Sequence, residues 1–209
     1  MKVFLASRNR KKIEEMARIL REHAPDIEVL GIDDVEGYDE PVEDRATFEG
    51  NALLKARAGF AATGLPSLAD DSGLCVDALN GMPGVLSARW SGPPKDDARN
   101  NRLLLAQLAD VPDERRCAHF MCAVAFVHAE GHDGEECASG VMPGRVIREC
   151  RGAGGFGYDV LFEADDRPGM TTAELSREDK DAISHRGWAL RRMAPIVARI
   201  LGETEGQTA

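Results

Sequence analysis

One segment near the middle of the chain constrains the fold more than any other. It is the run CAHFMCAVAFVHA at residues 117–129, in which apolar side chains occupy both faces of an extended chain. A strand with one face in water alternates apolar and polar residues, so this run indicates a central strand covered by other elements. The segment GHDG at 131–134 predicts a hairpin that returns through residues 136–150.

Helical and extended patterns on both sides of this strand predict an α/β fold with a mixed sheet. We expect helices at residues 10–23, 47–63, 98–109 and from Ser184 to 201, strands at 2–7, 27–32 and 158–163, and two short strand pieces around a polar turn in 67–79. Thr47 is the expected N-cap of the second helix. No linker separates domains, so the prediction is one domain over residues 1–209 with a frayed tail at 202–209.

Charge and composition exclude several classes of partner. The 26 basic and 36 acidic residues leave a net charge of −10, which argues against a nucleic acid polymer as ligand. No apolar run approaches the roughly 18 residues of a membrane span, and the N-terminal MKVFLAS is too short for a secretory signal. Five cysteines without a C-x-x-C pair suggest a reducing compartment. We therefore expect a cytoplasmic protein without nucleic acid or membrane partners.

Two charged segments in the first third of the chain allow two interpretations each. The turn SRNRKK places Arg8, Arg10, Lys11 and Lys12 at a helix N-terminus, where they are either tolerated surface charges or an anion site. Asp70 and Asp71 lie in a stretch, residues 58–88, without Lys or Arg. They either cap turns or hold a divalent cation, and neighbours on an extended chain point in opposite directions, so only one of them would face the ion.

Two further segments could contact a flat ligand. Residues 152–157 fit G-x-G-x-x-G, but no helix follows, so a dinucleotide fingerprint is rejected. The loop with Phe156, Tyr158 and Asp159 is either a tight turn with buried aromatics or a platform on which a ring stacks on a ligand. Similarly, His185 and Arg186 after Ser184 are either exposed charges in a capped helix or ligand contacts.

Four blocks in order together resemble a known family, the inosine/xanthosine triphosphate pyrophosphatases that remove non-standard purine nucleotides. They are Ser7-x-Asn9-x-x-Lys12, TFEGNALLKA (47–56) leading into ADDSGLCVDALNGMPGVLSARWSG (69–92), GGFGYDVLF (154–162), and AELSREDKDAISHRG (173–187). The resemblance runs from residue 3 to about 193.

The resemblance implies a Mg²⁺-dependent hydrolase, with Mn²⁺ as a substitute, that cleaves ITP, dITP or XTP to the monophosphate and pyrophosphate. It implies an α/β fold of two lobes around a long, twisted mixed sheet with flanking helices, a nucleotide cleft between the lobes, and a homodimer. Two hypotheses compete with it: a nucleotide-binding module without turnover, and a house-cleaning pyrophosphatase of different base preference.

The resemblance also assigns residues to roles. Glu43 and Asp71 would bind the metal, and Asp71 would be the general base. The expected substrate contacts are Ser7, Asn9, Lys12, Lys55, Ser72, Phe156, Gly157, Tyr158, Asp159, Lys180, His185 and Arg186. Donors from His185 or Arg186 would satisfy the oxygen at purine position 6 and mismatch the adenine amino group, which can discriminate by about 10⁴.

The chain departs from the family pattern in the first block. Arg8 and Lys11 stand where glycines are usual, which puts the tightness of a phosphate loop there in question, although two extra cations would compensate. Gly50 replaces a usual glutamate, and Trp90 a usual tyrosine.

Overall fold

A computed structural model describes residues 1–129 and 131–206 of the chain. The strands are β1 (Lys2–Leu5), β2 (Glu28–Leu30), β3 (Ser67–Val76), β4 (Cys117–Val127), β5 (Glu135–Val146) and β6 (Phe162–Ala164). Within the described residues they form one six-stranded sheet in the order β2-β1-β3-β4-β5-β6. β1 is parallel to both β2 and β3, whereas β5 and β6 are antiparallel, so the predicted mixed sheet is confirmed.

The helices are α1 (Arg10–Arg21), α2 (Phe48–Thr63), α3 (Asp97–Gln107), α4 (Arg177–Ile183) and α5 (His185–Gly206). Four of the helices begin close to their predicted positions, and α4 is an additional short helix that was not predicted. Thr47 caps α2 as predicted, because its hydroxyl accepts a hydrogen bond from the Gly50 amide at 3.0 Å. Helix α5 continues to Gly206, past the predicted frayed start at 202, and residues 207–209 lie outside the described part of the chain.

The central position of β4 is confirmed, since β3 and β5 flank it and its residues from Cys122 to Phe126 are fully buried. The prediction for 67–79 was wrong, because a single ten-residue strand runs through Asp70 and Asp71. These buried acids have side-chain partners, so they do not require a turn. The predicted strand at 158–163 was also misplaced: residues 159–161 form a 3₁₀ turn before β6.

The chain divides into two compact units. Unit 1 comprises residues 1–71, 123–140 and the chain from Trp188, and unit 2 comprises residues 72–122 and 141–187. Fully buried side chains of unit 1 include Phe4, Leu20 and Leu68, and the core of unit 2 includes Leu104, Leu108 and Phe162. No helix among the described residues has the length and apolar content needed to cross a membrane.

Candidate active site

Helix α2, strand β3 and the loop before α2 bring together a cluster of polar and charged side chains in unit 1, here called the Asp71 cluster: Glu43, Asn51, Lys55 and Asp71. Asn51 and Lys55 are four residues apart and therefore share one face of α2. Asn51 donates its amide to Asp71 Oδ2 at 2.9 Å, and Lys55 Nζ lies 3.9 Å from Asp71 Oδ1. The same ammonium donates to Glu43 Oε1 at 2.5 Å. One cation thus lies between two carboxylates from distant parts of the sequence.

Burial and charge shift the ionisation of this cluster. Burial is the largest influence on Asp71 and raises the pKa of its carboxyl to about 6, although Lys55 and Asn51 act in the opposite direction. Burial acts to lower the pKa of Lys55, but Asp70, Asp71 and Glu43 outweigh it and raise that pKa. The Lys55 ammonium therefore stays charged at neutral pH. The pKa of Asp71 lies close to neutral pH, which would suit a group that accepts a proton during catalysis.

Asp70 has a different partner from Asp71. Its two oxygens accept hydrogen bonds from Lys12 Nζ at 3.1 and 2.9 Å, and the carboxylate is almost completely buried. Because neighbours on a strand point to opposite sides, Lys12 and Lys55 each neutralise one acid of the pair. Ser72, the next residue on β3, is half-buried.

The first turn mainly organises the start of α1. Ser7 Oγ accepts from the Asn9 amide at 3.2 Å, and Asn9 Oδ1 accepts from the Lys12 amide at 3.3 Å. Arg8 forms ion pairs with Glu40 and Asp33, so its charge is directed at nearby acids. The side chain of Lys11 lies outside the described part of the structure.

A second cluster, here called the Phe156 cluster, lies in unit 2 and consists of Phe156, Asp159, Lys180 and Arg186. The ring of Phe156 is 57% exposed, with Lys180 Nζ 5.2 Å and the Arg186 guanidinium 6.0 Å from its centre. Asp159 accepts from Lys180 Nζ at 2.5 Å and from the Phe156 amide at 2.8 Å. An exposed ring beside two cations suits stacking against a flat, electron-rich ligand.

His185 and Tyr158 occupy buried positions near this cluster. The His185 ring stacks on Phe120 with 5.0 Å between centres, and the Arg186 side chain beside it is buried. Tyr158 lies in the core of unit 2, where its hydroxyl donates to the Ser87 carbonyl at 2.9 Å and burial raises its pKa. The phenol of Tyr158 therefore anchors the loop in the core of unit 2, whereas the Phe156 side chain is exposed.

Sequence reasoning missed three polar residues that hold these clusters in place. Asn51 lies inside the second block but was assigned no role, although a buried amide on an apolar helix face was a usable signal. Asp97 and Asn101 on α3 hydrogen-bond to the backbone of the loop that carries Phe156. Asp97 accepts from the Gly157 amide at 2.8 Å, and Asn101 donates to the Gly157 carbonyl at 2.9 Å. Their four-residue spacing was visible, but nothing local connected them to a loop about sixty positions further on.

The donor chemistry of the Asp71 cluster fits a hard divalent cation. Among residues 1–129 and 131–206, no group of three or more His, Cys, Asp and Glu side chains could hold a metal by itself. Glu43 and Asp71 nevertheless share one positive charge, that of Lys55, in the way two carboxylates share a metal ion. Mg²⁺ commonly takes one or two carboxylates and completes its shell with phosphate oxygens and water. Two acids are therefore sufficient when the ligand carries phosphates.

The mixed sheet with its flanking helices defines an α/β protein, and each of its two units carries one cluster of charged side chains. The chain belongs to the Ham1 family, whose model matches residues 3–196, and the predicted family resemblance is thereby confirmed. It is 57% identical to a dITP/XTP pyrophosphatase of Mycolicibacterium paratuberculosis over 93% of this chain and 95% of that protein. It is 56% identical to a dITP/XTP pyrophosphatase of Nocardia farcinica over 98% of each chain.

Solved structures agree with this assignment. A nucleoside-triphosphatase, or dITP/XTP pyrophosphatase, from Mycobacterium abscessus matches with a TM-score of 0.77 and 52% identity, covering 93% of this chain and 100% of that one. A HAM1 protein from Coxiella burnetii matches with a TM-score of 0.88 and 38% identity, covering 95% and 99%. The fold predicted from sequence is therefore that of the family.

Proposed function

We propose that this protein hydrolyses non-standard purine nucleoside triphosphates, namely ITP, dITP and XTP, to the monophosphate and pyrophosphate. The observation that carries the proposal is the Asp71 cluster, in which Glu43 and Asp71 converge on a single cation. The relatives that are 57% and 56% identical are dITP/XTP pyrophosphatases, which supports the same substrate class. We further propose that residues 1–209 act as one catalytic domain, in the cytoplasm and as a homodimer.

The chemistry proposed for unit 1 is charge neutralisation and orientation of water. Mg²⁺, with Mn²⁺ as a substitute, would be held by Glu43 and Asp71 and would offset the charge of the triphosphate. Lys12 and Lys55 would pair with phosphate oxygens, and Ser7, Asn9 and Ser72 would supply hydrogen bonds. Asp71 would orient the attacking water and accept its proton, and the nearby cation would keep its carboxylate ionised for that task.

The Phe156 cluster would recognise the base. Phe156 would stack on the purine, while Gly157 and Tyr158 shape the loop beneath it. Lys180, His185 and Arg186 would donate toward the oxygen at position 6, and Asp159 holds Lys180 in place at 2.5 Å. An adenine amino group would meet these donors unpaired, which can cost about 10⁴ in kcat/KM.

A product and substrate panel tests the proposal. Purified protein with Mg²⁺ is incubated with ITP, dITP, XTP, dATP and dGTP, and pyrophosphate and orthophosphate are quantified separately. We expect pyrophosphate from the first three and little turnover of dATP, with Asp71→Asn as the inactive control. Orthophosphate release or equal turnover of dATP would refute the proposal. Binding of dITP without turnover would favour a binding module, and turnover of dGTP in preference to the first three would favour a pyrophosphatase of different base preference.

A further inference from the structure

Asn51 is fully buried, and both ends of its side chain are used. Its Nδ2 donates to Asp71 Oδ2 at 2.9 Å, and its Oδ1 accepts from the Arg45 backbone amide at 2.9 Å. One side chain of α2 therefore joins strand β3 to the loop before the helix, entirely within unit 1. An amide suits this position because it has a donor and an acceptor on one small planar group.

The hydrogen bond from Asn51 to Asp71 determines which oxygen of the Asp71 carboxylate faces the Lys55 ammonium. With Oδ2 held by Asn51, Oδ1 is the oxygen that lies 3.9 Å from Lys55 Nζ. A carboxylate bonded through one oxygen cannot rotate freely about its Cβ–Cγ bond. Asn51 therefore orients Asp71 rather than merely solvating it.

The bond to Arg45 acts on the second acid. Arg45 lies two residues after Glu43, so fixing its backbone amide restrains the segment that carries Glu43. Lys55, one helical turn after Asn51, holds the Glu43 side chain at 2.5 Å. Asn51 and Lys55, on successive turns of α2, thus both connect strand β3 to the loop that carries Glu43. Asn51 does so through neutral hydrogen bonds and Lys55 through its charge.

We propose that Asn51 is a positioning residue that sets the separation and orientation of Glu43 and Asp71, so that both present oxygens to one divalent cation. The inference rests on the metal site of the proposed function but not on hydrolysis, because metal binding is measured separately from turnover. Partners that orient metal-binding carboxylates typically change metal affinity or activity by about 10- to 100-fold when they are removed. A purely structural asparagine would change stability alone.

The test compares Asn51 with a matched buried asparagine. Asn100 is also buried, accepts from the Ser91 backbone amide at 2.8 Å and donates only to backbone carbonyls, so its loss removes similar hydrogen bonds without touching an acid. Asn51→Ser and Asn51→Leu are compared with Asn100→Ser and Asn100→Leu. Serine leaves room for water to bond the freed groups, so Asn51→Ser decides the question if the leucine variant does not fold.

Four quantities are measured on the full chain: the melting temperature, the Mn²⁺ affinity without nucleotide by electron paramagnetic resonance, and kcat and KM for dITP. We expect Asn51→Ser to weaken Mn²⁺ binding and lower kcat by about 10-fold or more, while KM changes by less than about threefold. The Asn100 variants should lose comparable stability, and their folded molecules should keep the Mn²⁺ affinity and the kcat of wild type.

Two results would overturn the inference. The first is that wild-type protein binds no Mn²⁺ without nucleotide. The second is that the Asn51 variants match the Asn100 variants in Mn²⁺ affinity and kcat. Failure of the proposed function looks different: wild-type protein then releases no pyrophosphate from any nucleotide, and the ratio of Mn²⁺ affinities still decides the role of Asn51.

Discussion

At the scale of single residues, Lys55 has the most consequential position. Its side chain is only 12% exposed and lies between Glu43 and Asp71, two acids that would repel each other in a buried site without it. Under the proposed function, a divalent ion would occupy the position between these acids that the ammonium now has. We therefore expect Lys55 and the metal to compete for the same two carboxylates.

Replacing Lys55 with methionine tests this competition. The metal-free Lys55→Met protein should melt at a lower temperature than wild type, because two buried acids lose their counter-charge. At the same high Mn²⁺ concentration, the melting temperature of the variant should rise by more than that of wild type. Binding to the native state stabilises a protein more when its affinity for the ligand is higher. Lys95→Met, at an exposed lysine, is the control. An equal or smaller increase for Lys55→Met would contradict the competition.

The raised pKa of Asp71 predicts a pH-dependent stability in the presence of a chelator. Burial holds this pKa at about 6, with Glu43 and Asp70 acting in the same direction and Lys55 and Asn51 against it. In unfolded chains it is about 4. The protonated folded form is therefore favoured below pH 4, and that stability is lost as the pH rises through 6.

Asp71→Asn removes this ionisation and keeps an acceptor for Asn51. Relative to wild type, the inactive variant should gain about 2 kcal/mol in unfolding free energy between pH 4 and pH 7, since each tenfold change in an ionisation constant corresponds to about 1.4 kcal/mol. Urea unfolding at a series of pH values measures the difference, with the exposed Asp110→Asn as control. A difference that does not change with pH would show that Asp71 ionises normally.

At the scale of elements, helix α3 holds the loop of the Phe156 cluster. Asp97 and Asn101 lie on one face of α3 and bond the amide and the carbonyl of Gly157, respectively. Gly157 has φ of +61°, a conformation that residues with side chains rarely adopt. The helix thus stabilises a strained turn next to the exposed ring of Phe156.

Asn101→Ala removes one of the two anchors. A neutral hydrogen bond contributes about 1 kcal/mol, so KM for dITP should rise by about fivefold while kcat changes by less than about twofold. Steady-state kinetics measures both, and Arg102→Ala, at the next and exposed position of α3, is the control. A lower kcat at constant KM would place Asn101 in the chemical step instead.

At the scale of the whole molecule, the two units share strands. The chain passes from one unit to the other within β3, β4 and β5, so neither unit is made of one continuous segment. Neither is therefore expected to fold alone. Arg116 is a useful position for testing this, because its buried guanidinium donates to the carbonyls of Leu108, Val146 and Ile147 within unit 2.

Arg116→Met should lower the stability of both units together. It removes the guanidinium donor from three carbonyls, of which that of Leu108 keeps a hydrogen bond from the Val111 amide, and we expect a cost of about 2–4 kcal/mol. The two tryptophans report the units separately, Trp90 in unit 2 and Trp188 in unit 1, so unfolding is followed by fluorescence in Trp90→Phe and Trp188→Phe backgrounds. We expect coinciding midpoints before and after the substitution. Separate midpoints would mean that unit 2 unfolds independently.

The sequence alone determined the features that depend on neighbours along the chain. The spacing of apolar residues located α2, a continuous apolar run located β4, and the hydroxyl of Thr47 marked a helix start, because these signals are local. Four ordered motifs indicated the family for the same reason: each is a short, contiguous pattern.

Only the tertiary structure decided which polar groups meet. From the sequence, Asp70 and Asp71 were either turn caps or ligands of a cation, and only the structure shows Lys12 and Asn51, distant in sequence, bonding them inside a continuous strand. Likewise, the grip of Asp97 and Asn101 on Gly157 joins residues about sixty positions apart. Hydrogen bonds and ion pairs act over a few ångströms of space, and that proximity between distant residues exists only once the sheet and its helices have packed.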